Sequence, residues 1–305
     1  MEQEDQPAEN KLITILNRIL GHPLFLLIFG VMMQVIMISM IISVIGALNP
    51  QPAQSAAFQS GLGVAIALTS AFAYLIFVLF VERKSLTDFE GKGAFAEWGF
   101  GLALGAATMS AIVGVIAAMG GYRITGSNGP WVVVPLFGMA MQSGIFEEIV
   151  FRGLIFRFTE KWLGSIAALL VSAILFGFAH LSNPNASWFA SIAIAIEAGI
   201  LLGAVYMVTR RLWAVIGLHM AWNVTQGGVF GIKVSGTDIP GFFISQMSGH
   251  ELLTGGAFGA EASLPALIIA TALGLYFLRK AWRKGEFAHP SWHRFKTGGA
   301  APSGV

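Results

Sequence analysis

The chain contains no cysteine. Disulfides and thiolate-bound metals are therefore excluded, and the redox compartment leaves no mark on the sequence. Charge is scarce too. Of 305 residues only 11% are Asp, Glu, Lys or Arg, whereas a soluble domain carries roughly 25%. The net charge is only +2 and no basic stripe is interleaved with aromatics, so nucleic acid is not an expected partner. Strict apolar/polar alternation over segments of about ten residues, the mark of a membrane β-barrel, is missing as well. What is present is apolar: 55% of the residues are hydrophobic. They form long runs rich in Gly, Ala and Ser, which suit closely packed membrane helices. The expectation is an all-α, polytopic membrane protein, a single bundle of about eight transmembrane helices, with the bilayer as its first partner.

Residues 1–10 are polar and acidic, a composition of disorder. Lys11 to His22 is amphipathic, with Ile13, Leu16, Ile19 and Leu20 on one side, as in an interfacial helix. Apolar runs then follow at 24–48, 58–81, 95–119, 131–158, 165–180, 188–208, 212–232 and 264–278. The first is too long, and its flank too acidic, for a cleaved signal. Asn49-Pro50-Gln51-Pro52 ends it. Residues 120–130 read as a turn, and 233–262 as a Gly-rich loop, long enough to suggest a functional or mobile segment. Eight spans place both termini on one side. That side's segments (1–23, 82–94, 157–162, 209–211 and 279–305) hold 15 of the Lys and Arg residues, against Arg123 and Lys233 opposite. The positive-inside rule puts both termini in the cytoplasm of a multi-pass protein of the cell (inner) membrane.

Against this background Glu147-Glu148-Ile149-Val150-Phe151-Arg152 stands out, because ionisable groups at membrane depth mark function by default. Glu148 and Arg152 stand four apart with the acid first, the favourable order for a pair on one helix face. Glu147 is then left unpaired in a poorly solvated site, as a general base requires. Two later segments answer this one. His180 ends the fifth span, with Phe176 four residues before it as a wall for the imidazole. His219 and Asn223 share a face of the seventh span and offer two N–H donors to one point, an oxyanion hole. Glu197 lies midway along the sixth span without a partner in its own helix; it either touches the site from behind or lies on a proton path. Gln34 and Gln142 read as interhelical hydrogen bonds, and His22, His250, His289 and His293 as solvated.

The same groups admit a metal reading. Glu147, His180 and His219 would supply two imidazoles and a carboxylate to zinc, with a position open for water. The HExxH spacing of many zinc proteases is missing. Without metal, Glu147 and His180 would activate water while His219 and Asn223 hold the oxyanion. The spacing alone leaves both open.

The ordered set EEIVFR (147–152), FGFAH (176–180) and HMAWN (219–223), on separate spans, resembles the CPBP family of CAAX proteases and bacteriocin-processing (Abi) proteins. TRRLWAVIGLHMAWN resembles that family's run into its third motif. The resemblance covers roughly residues 95–280. It implies a CPBP-like catalytic core at 95–282, preceded by a tail and interfacial stretch (1–23) and two further helices (24–94), and followed by a cytoplasmic tail (283–305). It also implies an intramembrane endopeptidase acting on a membrane-associated or lipidated protein or peptide. Carried over by position, Glu147 and His180 activate water, His219 and Asn223 stabilise the oxyanion, and Glu148, Arg152 and Phe176 support them. Proteins of this kind are often labelled metalloproteases, a disputed label that keeps zinc open as a cofactor. The stretch 249–267 also resembles a bacterial extension, without a role.

Two other classes compete. A non-catalytic membrane scaffold or regulator of the bacteriocin-immunity type would keep the fold without needing Glu147. A transporter would use Glu147, Glu148 and Glu197 as a proton path, but symmetric halves, common among transporters, are absent. One difficulty is geometric. Measured from their cytoplasmic ends, Glu147 lies about 16 Å deep and His219 about 10 Å, but His180 about 25 Å.

Overall fold

The computed structural model describes residues 8–49 and 55–292. Of the polar tail expected at 1–10, residues 1–7 lie outside these residues, while Ala8–Asn10 are helical rather than disordered; the Pro50–Pro52 break and the tail beyond 292, His293 included, also lie outside. The interfacial stretch is a helix, α1 (Ala8–Leu20), whose Ile13, Leu16, Ile19 and Leu20 are all about half exposed. Among the described residues, seven helices are long and apolar enough to cross a membrane: α2 (Pro23–Leu48), α3 (Ala57–Val81), α4 (Ala94–Ala118), α5 (Pro130–Leu163), α6 (Ser165–Ser182), α7 (Trp188–Thr209) and α9 (Leu264–Arg283). A further helix, α8, runs over Leu212–Asn223 and continues through a wide, π-helical turn at Val224–Val229. It carries His219, Asn223 and Gln226, which lower its hydropathy below that of a free-standing span. Such polarity is tolerable because α8 is buried along almost its whole length.

Small residues bring α8 in. A Cβ added to Gly101 or Gly105 of α4 would come within 2.1 Å of the Ala214 carbonyl oxygen or 2.2 Å of that of Leu218. Without hydrophobic drive between helices in lipid, such close backbone contact is what binds them. The expected Gln34 contact is present: its amide donates to the Ser70 carbonyl (3.1 Å) and accepts from the Ser70 hydroxyl (2.9 Å). Gln142 instead lines a surface groove beside Trp131 and Thr237. His22 and His250 each accept a backbone N–H at a helix start, a capping role the sequence reading missed.

The fold departs from an all-helical plan in one place. The expected turn at 120–130 and the expected loop at 233–262 pair as two antiparallel strands, β1 (Tyr122–Ser127) and β2 (Phe243–Met247), with a bulge between Ile124 and Gly126. Glycines on either side hid these short strands. The loop also docks on the turn after α6: Asn185 donates to the Gly236 carbonyl (3.2 Å), and Gly236 donates to that of Phe258 (2.7 Å). Gly236 has φ +81°, and a Cβ there would meet the Pro184 oxygen at 1.6 Å.

Candidate active site

The acids sit where α5 loosens. Gln142–Glu147 and Ile149–Phe156 are wound as π-helix, a form that turns up at functional sites. Glu148 and Arg152 are fully buried and joined at 3.0 Å, the pair the spacing predicts. Arg152 also donates to the Gly199 carbonyl of α7 at 3.3 Å, and its guanidinium lies 4.7 Å from the centroid of the Phe176 ring. The same Glu148 oxygen, Oε1, is 2.8 Å from Nδ1 of His219. A carboxylate only accepts, so Nδ1 carries the proton. His219 Nε2 then points to Glu147, whose Oε2 lies 4.0 Å away. That is too long for a hydrogen bond and short enough for one water to touch both. Oε2 of Glu147 is buried and has no hydrogen-bond partner. The two adjacent acids thus divide as the sequence suggests, Glu148 tied and Glu147 free, but both meet one imidazole.

His180, Phe176, His219 and Asn223 line one small cavity of about 30 Å³. Phe176 is the wall, its ring centroid 4.9 Å from that of His180 and 5.9 Å from that of His219. His180 begins a tight turn at the end of α6, and its Nδ1 is 2.8 Å from the Phe176 carbonyl oxygen. Its partner is thus a carbonyl of its own helix. The depth difficulty eases because α5 extends to Leu163 rather than ending at Phe158. Glu147 then lies sixteen residues from the end of α5 and His180 fifteen from the start of α6, comparable depths. Asn223 donates to Ser143 Oγ at 2.8 Å, which leaves its second N–H for a ligand.

Glu197 is also in a π-helical turn, on α7. It is fully buried, it lines the cavity, and neither of its oxygens has a partner. Sequence reasoning missed two contributors. Ser143, four residues before Glu147 on the same helix, orients Asn223; that spacing was a usable signal. Glu261, in the stretch 249–267, lines the cavity from the loop, and only the fold places it there. As to metal, no three His, Asp or Glu side chains converge as ligands among the described residues. Glu147, His180 and His219 are thus not gathered as a zinc centre in this structure.

Neither a curated protein nor a solved structure matches the chain. Residues 129–225, which hold both acids, Arg152, both histidines and Asn223, match the family model described as type II CAAX prenyl endopeptidase Rce1-like. The matched segment is narrower than the stretch 95–280 suggested by the motifs and resembles that family over about a third of the chain.

Proposed function

We propose that this protein is an intramembrane endopeptidase that hydrolyses a peptide bond of a membrane-associated or lipidated protein or peptide. The observation that carries this reading is the buried, unpartnered Glu147 oxygen facing an imidazole that Glu148 holds in place from the other side. Glu147 removes one proton from a water as its oxygen attacks the scissile carbonyl carbon, and His180 helps to hold that water. Protonated His219 donates from Nδ1 to Glu148 and from Nε2 to the developing oxyanion. The free N–H of Asn223 is the second donor. Glu147 then returns its proton to the departing amine nitrogen as the C–N bond breaks. Preorganised donors of this kind usually supply the largest share of catalysis. Arg152 and Phe176 hold Glu148 and the two histidines in register. The chain spans the inner membrane with both termini in the cytoplasm, a reading supported by the Lys and Arg asymmetry of its loops.

The test compares protein termini in membrane and secreted fractions from cells carrying the wild type or Glu147→Gln at matched abundance. New termini present only with the wild type support proteolysis and name the substrate. Rescue of the null phenotype by Glu147→Gln, with no terminus changed, would leave a scaffold built on this fold. Cleavage that persists after exhaustive chelation is expected on this reading; cleavage that stops and returns with zinc would overturn its metal-free form.

A further inference from the structure

The catalytic reading uses His180, His219 and Asn223 of the cavity lining and leaves Glu197 and Glu261 unused, although both line it. The two carboxylates differ. Glu261 is anchored: its oxygens accept from the Ser235 backbone N–H and from the Gln226 amide, so it is held as an acceptor at a fixed place. Glu197 has nothing. It is fully buried on α7, and both of its oxygens lack a donor. A buried carboxyl group without partners is uncompensated whether ionised or neutral, and such a group persists where a ligand completes it. Two carboxylates facing one space call for a cation. They are too few for a divalent ion, which takes six or more oxygens in the case of calcium, and no three acidic or imidazole ligands converge among the described residues. They suit a guanidinium or ammonium, whose several N–H donors pair with carboxylate oxygens.

We propose that Glu197 and Glu261 form a cation subsite that receives a basic side chain, arginine or lysine, of the peptide occupying the cavity. The identification of the ligand as a peptide rests on the endopeptidase reading above. Glu197 is the specificity-determining group, because its oxygens are free to pair with the incoming cation. Glu261 contributes charge while keeping the loop docked.

The experiment uses full-length protein in nanodiscs carrying Glu147→Gln, so that binding is read without turnover. The probes are n-butylguanidinium and its neutral isostere n-butylurea, at low millimolar concentrations, followed by calorimetry. The expected result is saturable binding of the guanidinium at least tenfold tighter than the urea, and loss of that difference when Glu197→Gln is added. Glu197→Leu, which removes the carboxyl group without leaving a polar remnant, should behave alike and guards against misfolding of the amide variant. Equal binding of the two probes, or a difference that survives both Glu197 variants, would overturn the subsite. Guanidinium binding together with no wild-type proteolysis would retain the subsite and overturn the protease reading instead.

Discussion

Two of the buried polar networks among the described residues are built differently. One joins α3, α5 and α7 around Asp88. Tyr74 donates to one Asp88 oxygen at 2.9 Å and Tyr206 to the other at 3.3 Å. Arg157 donates to Glu82 at 2.5 Å and to the Gly153 carbonyl at 2.8 Å, with its guanidinium 5.7 Å from the Tyr74 ring centroid. None of these side chains has a buried atom left without a partner. The other network, around Glu147, Glu148, Arg152, His219 and Glu197, leaves an oxygen on each of the first two acids, Nε of Arg152 and both oxygens of Glu197 unmet. A fully satisfied network rigidifies a core, whereas a partly satisfied one is an expense that calls for a reason. Burial of charge alone does not separate structure from chemistry here; the unmet valences do.

The sharpest way to break this contrast is to change one charge in each network. Glu147→Gln should lower the cleavage rate by about 10²–10⁴-fold, the usual contribution of a general base. The thermal midpoint in detergent should hardly move, since Glu147 makes no hydrogen bond from Oε2. Cleavage by the variant at the wild-type rate would remove Glu147 from the chemistry.

Arg152→Met probes the Glu148–Arg152 ion pair inside the unsatisfied network. It leaves buried Glu148 with His219 but without its guanidinium, and breaking such a buried pair costs about 3–5 kcal/mol. Unfolding measurements should show that loss. Combining it with Glu148→Gln should recover most of the stability but not the cleavage, because His219 would no longer be held by a carboxylate. Recovery of both would mean that Glu148 serves only as a counter-ion.

This contrast was half legible in the sequence. Spacing alone pairs Glu148 with Arg152 and isolates Glu147, because both statements concern one helix. That Phe176 walls His180 followed from the same four-residue logic. What spacing does not carry is the meeting of helices. His219 settles between the two acids because glycines of α4 admit α8, and that packing lies on a different segment of chain. The strands β1 and β2 were hidden by glycines and by a separation of more than a hundred residues. Nothing in the spacing of segment 82–94 marks Asp88, yet it is 2% exposed and bonds two tyrosines.

Asp88→Asn tests the satisfied network. The amide keeps one acceptor and replaces the other with a donor, so one of the two tyrosine hydrogen bonds is lost, at about 1–3 kcal/mol for the buried group left unmet. Turnover per folded molecule should stay within twofold, since nothing in this network reaches the cavity. A variant that folds as well as the wild type but turns over tenfold more slowly would show that the two networks are coupled through α5.

The smallest effect should come from Glu261, which borrows from both patterns, since it is bonded like the first network and placed like the second. Burial pushes its carboxyl up from the ordinary 4.5 to about 7, against its own backbone N–H and that of Ser235, which pull it down. A carboxyl raised in this way holds its proton more firmly in the folded state than in the unfolded one. Its contribution to stability is fully present below about pH 4.5, declines between 4.5 and 7, and is gone above that window. For a single proton the slope is at most about 1.4 kcal/mol per pH unit. Melting of the wild type should therefore fall as pH rises from 5 to about 7 and then level, and Glu261→Gln should flatten that stretch while its amide still accepts from Ser235. Glu197 lines the same cavity, so the control is Glu197→Gln, which removes its charge and should leave a shallower slope. A slope unchanged in Glu261→Gln would assign the titration to other groups and return Glu261 to the satisfied side of the comparison.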